Sequence, residues 1–310
     1  MPKFIKRTVL FSLGLVLLFF LPSFFLAEYD NLDGHFNDNN NIVSLQTKSM
    51  YDSLDILFIG NSYCYSGVIP EQIDKALSLS TYNLGIATAG VEFYDLVLND
   101  YLANVKQAPR QIYIMISPMT FSSKADNYSA YPIHRYLENP ISNIELSLSY
   151  SHYNQFFEMH RKSIEKGIKN LPLKDQEVVS LYKSPERGFV KSDVTVTDSI
   201  IESTEHFYAQ LKKNKLADEH KQALLDFTVQ LKSKGINVVF FELPTNKLAN
   251  YFSDEYLSDY ENFLTELQAT YEFISVNDET FSDLHYRNID HMNTAGARLA
   301  TEQLIEFMQH

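Results

Sequence analysis

Apolar and polar positions change rhythm several times along this chain. Asp55-Ile56-Leu57-Phe58-Ile59-Gly60 is a continuous apolar run closed by glycine, the pattern of a strand buried on both faces that meets a loop. From Ile69 to Leu79, Ile73, Ala76 and Leu77 fall at helical spacing, with Pro70 near the start where a missing N–H costs nothing. Thr81 to Gly85 reads as a second strand and Phe93 to Val105 as a second helix. Gln111 to Ser117 reads as a third strand, stopped by Pro118. Alternation resumes with a helix over 218–234, ended by Gly235, and a strand over 236–242. A helix near 254–270, a short strand over 273–276 and a last helix over 294–309 follow. Strands separated by helices at this spacing predict an α/β fold of three layers, a mostly parallel sheet covered on both faces.

Two stretches depart from that rhythm. Residues 122–220 hold no strong buried strand and read as a largely helical insertion, with helices near 141–169. A turn-rich stretch over 181–198 within it is either a hairpin or a lid. At the other departure, Thr8 to Ala27 is twenty residues without a charge. That suffices to span a hydrocarbon core of about 30 Å at ~1.5 Å per residue. Leu, Phe and Val surround its whole circumference, unlike the one-sided face of a core helix. Lys3, Lys6 and Arg7 precede the run while Glu28, Asp30 and Asp33 follow it. The positive-inside rule then places a single-pass transmembrane helix with its N-terminus in the cytoplasm and the rest outside, on the periplasmic or extracellular face. A cleaved signal peptide is the rival, but a cut after Ala27 puts Phe25 where a small residue is needed, so an uncleaved anchor is expected. Residues 28–50, rich in Asn and Asp, read as a polar tether. The expected organisation is an anchor over 1–27, a tether over 28–50 and a domain over 51–310, with the insertion at about 122–220.

Composition narrows the function. There are 26 Lys+Arg against 39 Asp+Glu, and three of the bases precede the uncharged run, leaving 23 against 39, a net of −16 beyond it. Such a surface repels a phosphate backbone, so no nucleic-acid partner is expected. The one cysteine, Cys64, excludes an internal disulfide and a cysteine-based zinc cage.

In open parallel sheets ligands bind beyond the carboxyl ends of the strands. Two polar sites lie there in sequence. Ser62 follows the first strand and precedes a helix: it either caps that helix or acts as a nucleophile on a tight turn. His291, in Asn288-Ile289-Asp290-His291-Met292-Asn293-Thr294-Ala295-Gly296, opens the last helix and is either a surface cap or a general base. Both would sit on one edge of the sheet, which is what makes the pair worth more than either alone.

Phe58-Ile59-Gly60-Asn61-Ser62 and Asp290-His291-Met292-Asn293-Thr294-Ala295-Gly296 resemble the nucleophile and terminal blocks of the SGNH (GDSL-type) hydrolase superfamily. The resemblance covers roughly residues 54–120 and 236–308. With the N-terminal run and the large insertion, it points to exported members tied to cell-envelope acylation, such as alginate O-acetylation proteins and the D-alanine transfer protein of teichoic acids. It implies a flavodoxin-like SGNH fold with Ser62 as nucleophile, His291 as base, and an oxyanion hole built from the Ser62 N–H and Gly90, with Gly85 the lesser choice. No cofactor or metal is implied.

Two departures from the family pattern stand out. The triad acid normally precedes the histidine by three residues, a position held here by Asn288, so Asn288, Asp290 or Asp283 would orient the imidazole, or the dyad works unaided. The family's Asn donor after the third strand is replaced by Ser117-Pro118-Met119-Thr120, leaving Ser117, Thr120 or a backbone amide to serve. Other local readings compete. Cys64 has nothing basic beside it and reads as packing. His285 and His291 with Asp283 and Asp290 match no strong metal-ligand template. His134, His152 and His160 read as scattered histidines; Tyr128, Tyr131, Tyr136, Tyr150 and Tyr153 as packing or a sugar-stacking platform.

The expectation is an exported, membrane-anchored serine esterase or O-acyl(acetyl)transferase on a cell-envelope or secreted glycan. Its partners would be an acyl donor, a glycan acceptor and a membrane-bound acyltransferase. The rivals are a plain small-ester hydrolase and a non-catalytic scaffold of the same fold in a polysaccharide-modifying complex.

Overall fold

Five apolar runs become five strands because each is short, β-branched or aromatic, and punctuated by Gly, Pro or polar residues. A computed structural model describes residues 4–14, 54–86, 90–122, 164–165, 168 and 187–309. The chain divides into two units, Met1–Asn37 with His134–Lys183 and Asp38–Ile133 with Ser184–His310. In the first, residues 4–14 are helical, with Phe4, Leu10 and Phe11 exposed. No helix among the described residues is long and apolar enough to cross a membrane. The uncharged run to Ala27 and the tether over 28–50 continue outside the described residues, as do nearly all of the helices expected near 141–169.

The second unit carries the sheet, in the order β2-β1-β3-β4-β5 with every pair parallel. The strands are β1 (Ile56–Gly60), β2 (Thr81–Gly85), β3 (Gln111–Ile116), β4 (Asn237–Glu242) and β5 (Glu272–Ser275). Every residue of β1 is buried, as a central strand covered on both faces requires. Phe58 sits opposite Tyr113 in β3, and its ring lies 5.0 Å from that of Tyr113 and 5.9 Å from that of Phe241.

Between the strands run α1 (Ser62–Gly67), α2 (Pro70–Leu77), α3 (Val91–Asn104), α4 (Asp198–Tyr208), α5 (Asp218–Ser233) and α6 (Asp254–Thr270), and α7 (Thr294–Met308) follows β5. His220, Leu224, Phe227 and Leu231 give α5 its buried stripe, and the helix stops before Gly235, whose φ of +76° suits glycine. Chain direction across the sheet reverses after β2. Right-handed crossovers therefore send α1 and α2, which pack with α7, to one face and α3 with α5 to the other. In open parallel sheets such a reversal is where ligands bind, here beyond the carboxyl ends of β1 and β3.

Residues 187–197 form no hairpin. They run as an extended strap: Arg187 O accepts from Asn83 N of β2, Val190 N donates to Tyr65 O of α1, Thr294 N of α7 donates to Ser192 O, and Val196 N donates to Tyr286 O.

Candidate active site

Helix α1 begins directly on top of β1, and Gly60 makes that approach possible. A Cβ at residue 60 would lie 2.8 Å from Met115 Cβ and 2.9 Å from Cys64 Cβ. The cap of α1 is Asn61, whose Oδ1 accepts from Tyr63 N at 3.0 Å. Ser62 is therefore the first helical residue, relieved of the capping role, and it is the one residue of α1 that is not buried.

The other post-strand serine has a different fate. Ser117 and Thr120 close a reciprocal capping box around the turn Pro118–Phe121, with Thr120 Oγ1 accepting from Ser117 N at 3.1 Å. Asn61 Nδ2 also donates to Ser117 Oγ, at 3.3 Å. Both hydroxyls are buried and committed to structure, so neither supplies the donor that the sequence leaves to them.

His291 lies at the end of a tight loop before α7. Tyr286 bridges Met292, Arg287 N donates to His291 O at 3.0 Å, and Asn293 caps α7 by accepting from Ala295 and Gly296 N–H groups. The three candidate orienters separate cleanly. Asn288 Oδ1 accepts from His291 N at 2.8 Å and Asp290 N at 3.3 Å, so Asn288 shapes the backbone. Asp283 pairs with Lys247 at 3.5 Å. Asp290 Oδ1 meets His291 Nδ1 in a short hydrogen bond.

That contact fixes the tautomer. Asp290 is an ionised carboxylate and can only accept, so Nδ1 carries the hydrogen and Nε2 presents its lone pair. Asn288 Nδ2, 3.3 Å from Nδ1, is itself a donor, because its oxygen serves the two backbone amides; it adds no bond to that nitrogen. Burial alone would push the Asp290 carboxyl up. Attraction to the His291 imidazole when it is protonated, and hydrogen bonds from His291, Tyr208 and Tyr63, outweigh it and hold the group below its ordinary range.

The serine-bearing helix and the histidine loop meet at that carboxylate, since Tyr63 OH donates to Asp290 Oδ2 at 3.0 Å. The rings of Tyr63 and Tyr65 flank the imidazole at 5.1 and 6.4 Å. His291 Nε2 is buried without a partner, and no hydrogen bond joins it to the Ser62 hydroxyl among the described residues. Asn246 Nδ2, in the loop after β4, is a second buried nitrogen without a partner. The next residue of that loop, Lys247, donates its N–H to Ile289 O at 3.1 Å.

Of the two glycines, Gly85 gives its N–H to Asn83 Oδ1 at 2.9 Å, whereas Gly90 is the buried residue that opens α3. Cys64 is buried against Asn83 Oδ1 at 3.4 Å, and burial pushes its thiol far above the usual range, which suits packing and not nucleophilic attack. His285 Nδ1 accepts from Ser282 N, and the described residues hold no cluster of three or more His, Cys, Asp or Glu able to take a metal ion. The histidines and tyrosines of 128–160 singled out in the sequence lie outside the described residues.

Tyr63, Tyr208 and Asn61 are the members of the site that sequence reasoning missed. Asn61 stands in the nucleophile block, but its capping role does not show there; Tyr63 follows that block and Tyr208 stands in no motif.

No protein-family model matches the chain, and no curated protein matches it. Among solved structures it is similar to one described as "a putative platelet activating factor from Streptococcus pneumonia", at 12% identity over 87% of this chain and 91% of that chain, with a TM-score of 0.38. A likeness at that level assigns neither family nor activity.

Proposed function

We propose that the protein is a serine esterase or O-acyltransferase in which Ser62 carries the acyl group, His291 moves the proton and Asp290 orients the imidazole. One observation carries the reading: Asp290, buried between the serine helix and the histidine loop, bonds both Tyr63 OH and His291 Nδ1 and leaves Nε2 bare. A neutral imidazole with an ionised orienter is the form a general base needs.

In this mechanism Ser62 Oγ closes on Nε2 as substrate enters and attacks the acyl carbonyl. Its proton passes to Nε2, and the leaving alcohol takes that proton as the acyl-enzyme forms. Water or an acceptor hydroxyl then repeats the cycle in reverse, releasing the acid or a new ester. The Ser62 and Gly90 N–H groups would receive the oxyanion, each such donor being worth about 3 kcal/mol of barrier. Asn288 keeps the loop in shape without touching the reaction.

The substrate we propose is an O-acyl, most simply O-acetyl, ester of a cell-envelope or secreted glycan. Membrane anchorage through residues 8–27 and a membrane acyltransferase partner complete the proposal. The uncharged run, the bases before it and the resemblance of the two blocks to SGNH hydrolases support these parts.

A serine-reactive fluorophosphonate probe tests the core of the proposal on the full-length chain. Wild type should label, and Ser62→Ala and His291→Ala should not. Absence of labelling in a folded wild type would leave the non-catalytic scaffold as the better description. Hydrolysis of p-nitrophenyl acetate with and without an oligosaccharide acceptor then separates transfer from plain hydrolysis.

A further inference from the structure

Asp290 and His291 are consecutive, and neighbouring side chains ordinarily diverge from the backbone, so sequence adjacency does not by itself aim a carboxylate at an imidazole. In the usual arrangement an acid three residues away is delivered by the loop. Here the aim must come from elsewhere, and two phenols supply it. Tyr63 OH, on α1, donates to Asp290 Oδ2 at 3.0 Å, while Oδ1 takes His291 Nδ1. Tyr208, the last residue of α4, donates to the same carboxylate. Asp290, Tyr63 and Tyr208 are each 5% exposed, so these bonds form away from water. Both phenols are held protonated well above their ordinary range, first by burial and then by the Asp290 charge, so they remain donors throughout the working pH range.

We infer that Tyr63 and Tyr208 are positioning residues for the His291–Asp290 pair, clamping the carboxylate from two helices and lowering its basicity. The inference rests on the proposed role of His291 as base. It gives α4, which lies within the insertion at about 122–220, a direct part in the site. It also has a consequence in pH. Each phenol draws charge from the carboxylate; without one, the pair holds its shared proton more tightly, and the base is freed only at higher pH. The other ionisable groups around this cluster are Arg287 in the same loop, Tyr65 against the imidazole, Tyr251 beside Tyr208 with Glu205 beside Tyr251, and Tyr256 beside Tyr63.

The test compares Tyr63→Phe, Tyr208→Phe and the double variant with Tyr256→Phe, whose hydroxyl bonds Pro118 O and not Asp290. The acid limb of Ser62 labelling by the fluorophosphonate should move up by about one pH unit in each single variant, and further in the double. Below the limb that is about tenfold slower labelling. Tyr256→Phe should leave the limb in place. In parallel, the downfield proton resonance of the His291–Asp290 hydrogen bond should move in the Tyr63 and Tyr208 variants only. Slower labelling with an unmoved limb and an unmoved resonance would reduce both tyrosines to packing and overturn the inference. If wild type does not label at all, the catalytic reading falls; the resonance still decides whether the phenols set the carboxylate.

Discussion

Ser62 and Ser117 each follow a buried parallel strand at the same edge of the sheet, β1 and β3, and each precedes a short helical turn. Their surroundings differ in one respect. Asn61 caps α1, so the Ser62 hydroxyl has no structural duty and stays partly exposed. Ser117 is its own turn's cap, bonded reciprocally to Thr120 and buried beneath Asn61. The difference shows how a backbone frees a nucleophile: the capping burden moves one residue upstream, onto an amide. Asn61 serves both turns, accepting from one and donating to the other.

The contrast is sharpest under alanine. Ser62→Ala should cost at least about a thousandfold in esterase rate, while its denaturant midpoint moves by no more than about 0.5 kcal/mol equivalent. Ser117→Ala should do the reverse, keeping probe labelling while losing about 1–3 kcal/mol of stability, because a buried amide and a backbone N–H lose their acceptor. Matched urea melts and labelling rates check both; similar losses of both kinds in the two variants would erase the distinction. A smaller effect is expected at the residue that links them. Asn61→Ala removes a cap and a buried bond together, costing about 1–2 kcal/mol, with labelling slowed but not abolished.

The mildest prediction concerns a third strand end. Glu242 closes β4, is largely buried and accepts from Tyr260 OH at 2.7 Å. Burial pushes its carboxyl up despite that bond. A raised folded-state value means the stability linked to this group is fully present below the unfolded carboxylate range, about 4.3, and is lost as pH rises through the folded value. Glu242→Gln keeps an acceptor for Tyr260 and cannot ionise. It should match wild type near pH 4 and exceed it by up to about 1 kcal/mol at pH 7. Urea midpoints at the two pH values check this, and a variant weaker at pH 7 would refute it.

Most of the sheet was legible in the sequence because buried parallel strands are continuous apolar runs. Thr81–Gly85 coincides with its expected bounds, and β1, β3, β4 and β5 fall within one or two residues of theirs. The long helices followed from the spacing of residues such as Leu224, Phe227 and Leu231. Helix α1 was not legible: SYCYSG has no apolar period over six residues, and the helix exists because Asn61 caps it and β1 lies beneath. The choice between Asn288, Asp283 and Asp290 was open for a similar reason. All three are short polar side chains within one loop, and only the fold decides which meets backbone, which meets Lys247 and which meets the imidazole. Tyr208 was out of reach altogether, since a contact between residues so far apart in the chain leaves no local trace.

The strap has a bearing on self-association. β2 is an edge strand, and an open edge is a template on which another molecule can add a strand. Arg187 occupies part of that template by accepting from Asn83 N at 2.9 Å. Gly188, at φ +92°, lies so close that a Cβ there would stand 1.9 Å from Asn83 O. At the far edge, β5 is only four residues long, with Glu272 and Ser275 exposed. A single glycine thus lets the chain seal its own sheet against recruitment by its neighbours.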